Sequence, residues 1–127
     1  MRGDPELSVR VSAAQALGML RGPKAIQALR EVLTDQSEDS GLRGAAAESL
    51  GSSFAYEVTP DLVEGLRDRS PEVRFWSAYA LGFMKVESAL VELERLTSDD
   101  AEVSGWWSIA RDANWAIAEI GRREPDL

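Results

Sequence analysis

Three stretches of this chain say nearly the same thing. Val9–Leu20 reads VRVSAAQALGML, Leu42–Ser53 reads LRGAAAESLGSS and Val73–Met84 reads VRFWSAYALGFM. Each holds an apolar residue, an arginine, a run of small residues, then leucine and glycine, and a fainter copy, AIAEIG, ends at Gly121. The leucine-to-leucine steps are 33 and 31 residues, followed by 39 to Ile120. A repeat of that period is one supersecondary unit that cannot bury its apolar face alone, so the units must stack into a solenoid.

Proline placement marks where the units' helices start. Pro5, Pro23, Pro60 and Pro71 each open an apolar-periodic segment, where the missing N–H costs nothing. Acidic neighbours (Asp4, Glu6, Asp61, Glu72) suit the positive end of a helix dipole. The pattern predicts helices over about Pro5–Leu20, Pro23–Thr34, up to Ser53, Pro60–Arg69, from Pro71 behind a Ser70 cap, and Val86–Thr97. A longer last helix is expected over Val103–Arg123, with a break near Trp107-Ser108 and Pro125 as a stop. The connection Phe54–Thr59 is four residues longer than its counterpart, and no strand alternation occurs.

A tetratricopeptide unit would need a Trp and a Tyr that the first helix lacks, and an ankyrin unit a TPLH-like turn. The segment from Asp68-Arg69-Ser70-Pro71-Glu72-Val73-Arg74 to Leu81-Gly82 instead resembles the short HEAT-like repeat, of the kind first associated with phycobilin lyases, D-x-(D/S)-(P/x)-x-(V/L)-R-x-x-A-A-x-A-L-G. The first copy matches from Val9, with Asp4 six residues before Arg10; the second matches more loosely, with Ser37 and Asp39 ahead of Leu42-Arg43; the fourth has Ala113 in the arginine's place. The resemblance implies an all-α fold, a right-handed α-α superhelix of antiparallel helix pairs like HEAT and armadillo arrays. One domain, 1–127, would hold about three and a half repeats, near 4–36, 37–69, 70–98 and 99–123.

In such a stack the small residues Ala14/Ala16, Ala47/Ser49 and Ala78/Ala80 permit close helix approach, and Leu17, Leu50 and Leu81 fill the gap to the second helix. The glycine after each leucine suits a left-handed helix end. Arg10, Arg43 and Arg74 are expected to form a ladder with Asp4, Asp39 and Asp68, partly exposed and contributing ~0.5–1 kcal/mol per pair.

Composition narrows the chemistry. The chain has neither cysteine nor histidine, which removes disulfides, thiolate ligands and the commonest general base and metal ligand. Its acidic loops, Ser37-Glu38-Asp39 and Asp99-Asp100-Ala101-Glu102, lack the spacing of a calcium loop, and no phosphate-binding or nucleophile-elbow string occurs. The expectation is therefore no catalytic residue, no metal and no cofactor. A net charge of −8 with scattered Lys and Arg argues against nucleic acid. No apolar run approaches the roughly 18 residues of a membrane span, and no signal-peptide pattern opens the sequence, so a cytoplasmic protein is expected.

Two surfaces remain as candidates. The first is an aromatic patch: Phe75, Tyr79 and Phe83, at i, i+4 and i+8, replace Gly44, Glu48 and Ser52 of the second copy, beside Trp76 and the downstream Trp106 and Trp107. It is either open to a partner or covered by the last helix. The second is the concave face of the second helices, with Lys24, Gln27, Arg30, Asp61, Glu64, Arg67, Val91 and Glu94 outward. The expected function is a non-catalytic scaffold or adaptor, not an enzyme, with another protein as partner and self-association open. The alternatives are a phycobilin-lyase-like subunit acting on a chromophore-bearing protein and a nucleic-acid-binding HEAT-like protein, the latter opposed by charge.

Overall fold

Prolines and capping side chains open the helices much where the sequence puts them. The computed structural model describes residues 5–20, 22–103 and 105–122. Its helices are α1 (Pro5–Leu20), α2 (Pro23–Thr34), α3 (Ser40–Ser52), α4 (Thr59–Gly65), α5 (Pro71–Phe83), α6 (Leu90–Arg95) and α7 (Ile109–Gly121). Asp39 caps α3 by accepting the Leu42 N–H at 3.0 Å, and Ser70 and Ser108 cap α5 and α7 through the N–H groups of Val73 and Arg111. Among the described residues, extended pairing is confined to an isolated bridge between Glu102 and Ser108. The fold is an all-α superhelix.

Three segments depart from expectation. The α4 segment starts earlier, in a 3₁₀ turn at Tyr56–Val58, and its α-helix ends at Gly65. The α6 helix is a short core between 3₁₀ turns at Glu87–Ala89 and Leu96–Ser98. The last helix begins only at Ile109, because Ser108 caps there and the preceding tryptophans belong to a loop. Pro125 lies outside the described residues, as do Asp4 and the side chain of Leu17.

The first helices of successive units stack α1 on α3, α3 on α5 and α5 on α7, with α2, α4 and α6 packed along one side. Ala46, Ala47, Leu50, Ala78, Ala80 and Leu81 have no exposed surface, and the core they form runs continuously from Ala14 to Ile120. A buried leucine of this kind stabilises by roughly 1.5–3 kcal/mol relative to exposure.

The glycines have a different role from the expected one. A Cβ on Gly51 would lie 2.7 Å from both Cα and Cβ of Ala80, and one on Gly82 would lie 2.6 Å from those of Ala116. Each glycine thus seats the backbone of the next unit's first helix. The left-handed residues come three positions later, Phe54 (φ 54°) and Lys85 (φ 57°). Around them the N–H groups of Ala55 and Val86 donate to Leu50 O and Leu81 O, and those of Phe54 and Lys85 to Gly51 O and Gly82 O. Both helix ends close in the same six-to-one, five-to-two pattern.

The arginine ladder also runs otherwise than expected. It points forward: Arg10 pairs with Glu38 at 2.7 Å, Arg43 with Asp68 at 2.7 Å and Arg74 with Asp99 at 2.9 Å. Asp39 serves as a cap instead. The Arg43–Asp68 pair is buried rather than partly exposed, its side chains only 4% and 6% accessible. Arg43 makes a two-pronged contact with the carboxylate and donates from Nε to Leu33 O at the end of α2, so α2, α3 and the loop before α5 meet on one guanidinium. Burial works against the Asp68 carboxylate, yet hydrogen bonds from Arg43 and the Ser70 N–H hold its pKa below the ordinary value.

Candidate functional site: an aromatic ribbon and an ion-paired inner face

The predicted aromatic stripe divides. Phe75 is fully buried, so it leaves the candidate partner surface: the loop before α7 brings Trp106 and Trp107 to 6.1 and 6.0 Å from its ring. Tyr79 is half-buried, stacked on Trp115 of α7 at 5.2 Å and on Phe83 at 5.9 Å. Phe83 and Trp106 keep 38% and 51% of their surface exposed, while Trp107 is partly buried beneath Arg111, which lies 5.1 Å from its ring centroid. The loop before α7 covers Phe75, α7 half-covers Tyr79 through Trp115, and the rest of the stripe stays open.

Residues the sequence reading missed prolong the open part. Phe54 lies 5.2 Å from Phe83, and Tyr56, 6.4 Å beyond, donates its hydroxyl to Met84 O. Trp76 meets Tyr79 and Trp106 edge-on at 5.5 and 5.2 Å. A ribbon of rings thus runs from Tyr56 through Phe54, Phe83, Tyr79 and Trp76 to Trp106. The signal for its far end was the longer connection, which carries two aromatics in its extra residues. Glu48 borders the ribbon; burial raises its pKa, and burial with the Glu48 and Asp112 carboxyls raises that of Tyr79.

Behind the ribbon sits Asp112, fully buried on α7. In the repeat register that puts Ala113 in the arginine's place, Asp112 stands where Val73, Leu42 and Val9 stand in the other copies. Neither carboxyl oxygen has a hydrogen-bond partner among the described residues, and the Trp107 indole N–H, turned toward it, falls short of hydrogen-bond geometry. Burial pushes its pKa up to about 8, with the indole pulling the other way. At neutral pH the group is mostly a neutral acid.

The concave candidates lie on α2, α4 and α6. Lys24, Gln27, Arg30, Glu64, Arg67, Val91 and Glu94 are exposed and Asp61 is partly so. Much of the charge is spoken for. Arg30 pairs with Asp61 at 2.7 Å and Arg67 with Glu92 at 2.8 Å, a second forward ladder, and Gln27 donates to Glu31. A cleft of about 190 Å³ opens between α2 and α4 over Leu33, Arg43, Asp61, Glu64, Gly65 and Asp68. Among the described residues no three His, Cys, Asp or Glu side chains converge to hold a metal ion, and no helix is long and apolar enough to cross a membrane.

Helix pairs that recur with one seam and one forward arginine define a repeat superhelix of the all-α class. A sequence profile of HEAT repeats matches residues 1–51 and 35–118, and the chain belongs to the HEAT-repeat family. In structure it is similar to the complex of CpcE and CpcF of phycocyanin lyase from Nostoc sp. PCC7120: TM-score 0.75, 26% identity, 93% of this chain and 50% of that one covered. In sequence it is similar to the deoxyhypusine hydroxylase of Candida albicans, 35% identical over 94 residues, or 74% of this chain and 29% of the relative. The deoxyhypusine hydroxylase of Eremothecium gossypii is 33% identical over 86 residues, 68% of this chain and 27% of the relative. The chain spans less than a third of the length of these curated relatives.

These relatives correct two expectations. A non-catalytic scaffold, and the judgement that the chain is not an enzyme, conflict with five curated relatives that all carry one enzyme's name. The missing histidine and cysteine do not decide the matter, because repeats of this kind are built into catalysts as well as adaptors.

Proposed function

We propose that this chain is part of an enzyme that modifies a protein side chain, and that the aromatic ribbon and the inner face hold the protein acted upon. The observation that carries the reading is the shared name of the curated relatives, 32–40% identical to this chain over the matched stretches. Deoxyhypusine hydroxylation, in which one atom of molecular oxygen is inserted into a C–H bond of that side chain while a two-electron reductant turns the other into water, is the first reaction to test.

Within this reading the exposed rings of Trp106, Phe83, Phe54 and Tyr56 supply apolar contact area at low entropic cost, as protein interfaces favour. The exposed charges of the inner face, Lys24, Glu64 and Glu94 among them, provide the polar rim. The reacting groups would be shared with parts of the assembly outside this chain, in keeping with the fraction of the relatives it spans. A protein rather than a nucleic acid as partner, and a cytoplasmic setting, agree with a cysteine-free chain of net charge −8.

The test combines binding and mass. A deoxyhypusine-bearing protein is titrated by calorimetry with the whole chain and with Trp106→Ala, then incubated under air with a two-electron reductant and the chain in its native assembly, and weighed by mass spectrometry. Expected are measurable binding, weakened by about 2 kcal/mol in the variant, and a mass gain of one oxygen atom. Neither binding nor mass gain above buffer would overturn the reading.

A further inference from the structure

Much of the acidic charge along the stack is matched within the chain. Glu38, Asp61, Asp68, Glu92 and Asp99 each meet an arginine. Glu48 differs. It is half-buried on α3, and among the described residues its side chain has neither an ion pair nor a hydrogen bond. Burial raises its pKa, and no cation among those residues counters the rise.

The packing of α3 on α5 fixes where this carboxylate sits. Gly44, one turn earlier, lies against Trp76: a Cβ there would come 2.8 Å from the indole Cδ1. Gly51, one turn later, lies against Ala80. Positions 44, 48 and 51 share one helix face, so Glu48 stands between those two contacts, beside Tyr79. Burial, and then the Glu48 charge, raise the pKa of the Tyr79 phenol. The carboxylate thus borders the middle of the ribbon, with Trp76 and Trp106 to one side of Tyr79 and Phe83 to the other. The repeat itself does not require an acid there, since the aligned residue of the first copy is Gln15.

A half-buried carboxylate bordered by rings is matched by a cation on an apolar stem. Aromatic faces attract cations, and the carboxylate adds a formal charge for the same group to meet. A lysine stem covers ring surface while its ammonium stays at the acid. The same cluster already takes one cation from within the chain, Arg111 over Trp107 at 5.1 Å. The net charge of −8 favours the approach of a basic segment.

We propose that Glu48, with the rings of Trp76, Tyr79 and Trp106, binds a lysine side chain presented by the partner protein. Such a site deepens the reading of the ribbon as a protein-holding surface, on which it rests. It needs nothing of the reaction.

The probe is a capped pentapeptide with a single lysine among alanines, and its neutral counterpart carries acetyl-lysine instead. Both are titrated into the whole chain at ~0.15 M salt, which screens diffuse attraction, and followed by indole NMR signals and tryptophan fluorescence. The lysine peptide should shift the Trp76 and Trp106 signals with a Kd of about 1 mM. The acetylated peptide should bind about tenfold more weakly, and Glu48→Gln should weaken the lysine peptide by about the same factor. Glu31→Gln, which alters an exposed acid on α2, should leave the titration unchanged. Glu48 has no partner to lose, so circular dichroism of its variant should match the unmodified chain. The proposal is overturned if no ring signal shifts, or if Glu48→Gln binds the lysine peptide as the unmodified chain does. An equal loss in Glu31→Gln would overturn it too, because the attraction would then be diffuse. Equal binding of both peptides, abolished by Trp106→Ala, would sink the lysine site and leave the ribbon a protein-holding surface. A lysine peptide held through Glu48, with the deoxyhypusine-bearing protein neither bound nor modified, would support the site and overturn the enzymatic reading alone.

Discussion

Two buried ionisable groups, Arg43 in the middle of the stack and Asp112 near its end, are handled in opposite ways. Arg43 keeps its charge because everything it needs is supplied: two carboxylate oxygens of Asp68 and a helix-end carbonyl. Asp112 has no such company and keeps its place by giving up its charge. A buried charge is tolerated when its partners are built in, and otherwise the group neutralises. The middle of the molecule is therefore held by a fixed polar joint, and the end by apolar and aromatic packing around a neutral acid.

The contrast can be broken by substitution. Arg43→Ala should cost ~3–5 kcal/mol by urea denaturation, because it strands a buried carboxylate and the Leu33 carbonyl. A loss no larger than that of an exposed pair would mean the joint is not what holds the middle together.

Acidity sharpens it next. The folded pKa of Asp112 is about 8, against an ordinary carboxylate value near ~3.9. The folded state therefore binds the extra proton between those values, and this group's contribution to stability falls as pH rises from about 4 to about 8. Asp112→Asn should gain on the unmodified chain across that window by on the order of 2–4 kcal/mol in paired denaturation curves. A constant gap would show that the acid titrates normally. Asp68, held low, has the opposite sign: its contribution is present above the ordinary carboxylate range and is lost as pH falls through its folded pKa. Acid should thus loosen the middle first, and a rise in pH from about 4 to about 8 the end.

Smaller effects test the seams. Gly82→Ala should cost about 1–3 kcal/mol, since its new Cβ collides with the Ala116 backbone, while Gly121→Ala should leave the monomer's melting temperature nearly unchanged. The smallest change is expected for Arg67→Ala, whose exposed pair with Glu92 contributes about 0–1 kcal/mol. A larger loss there would erase the difference between inner-face pairs and the buried joint.

Much of the architecture was readable because it is local and repeated. Proline at a first helical position and a serine or aspartate cap leave marks within a few residues of the structure they cause, and α1 and α2 begin and end where those marks stand. The ladder's direction was not readable. Asp68 lies six residues before Arg74 and looks like its partner, yet it reaches back 25 residues to Arg43, a choice made only when units stack. The same holds for the aromatic stripe: spacing placed Phe75, Tyr79 and Phe83 on one line, but only the loop bearing Trp106 and Trp107 decided that the first would be covered. Function was least readable, since the absence of histidine and cysteine speaks for this chain's own side chains and not for an assembly around it.

The glycine–alanine seats carry a mechanical consequence. Where Gly51 meets Ala80 and Gly82 meets Ala116, main chain lies against main chain with no long side chain between to act as a spring. That spine should resist stretching and shear. The opposite edge is made of the short helices α4 and α6, bridged by exposed ion pairs that water readily replaces. When the molecule flexes it should open along this edge like a fan about its rib, widening the cleft over Arg43 and Asp68 while the spine keeps its length.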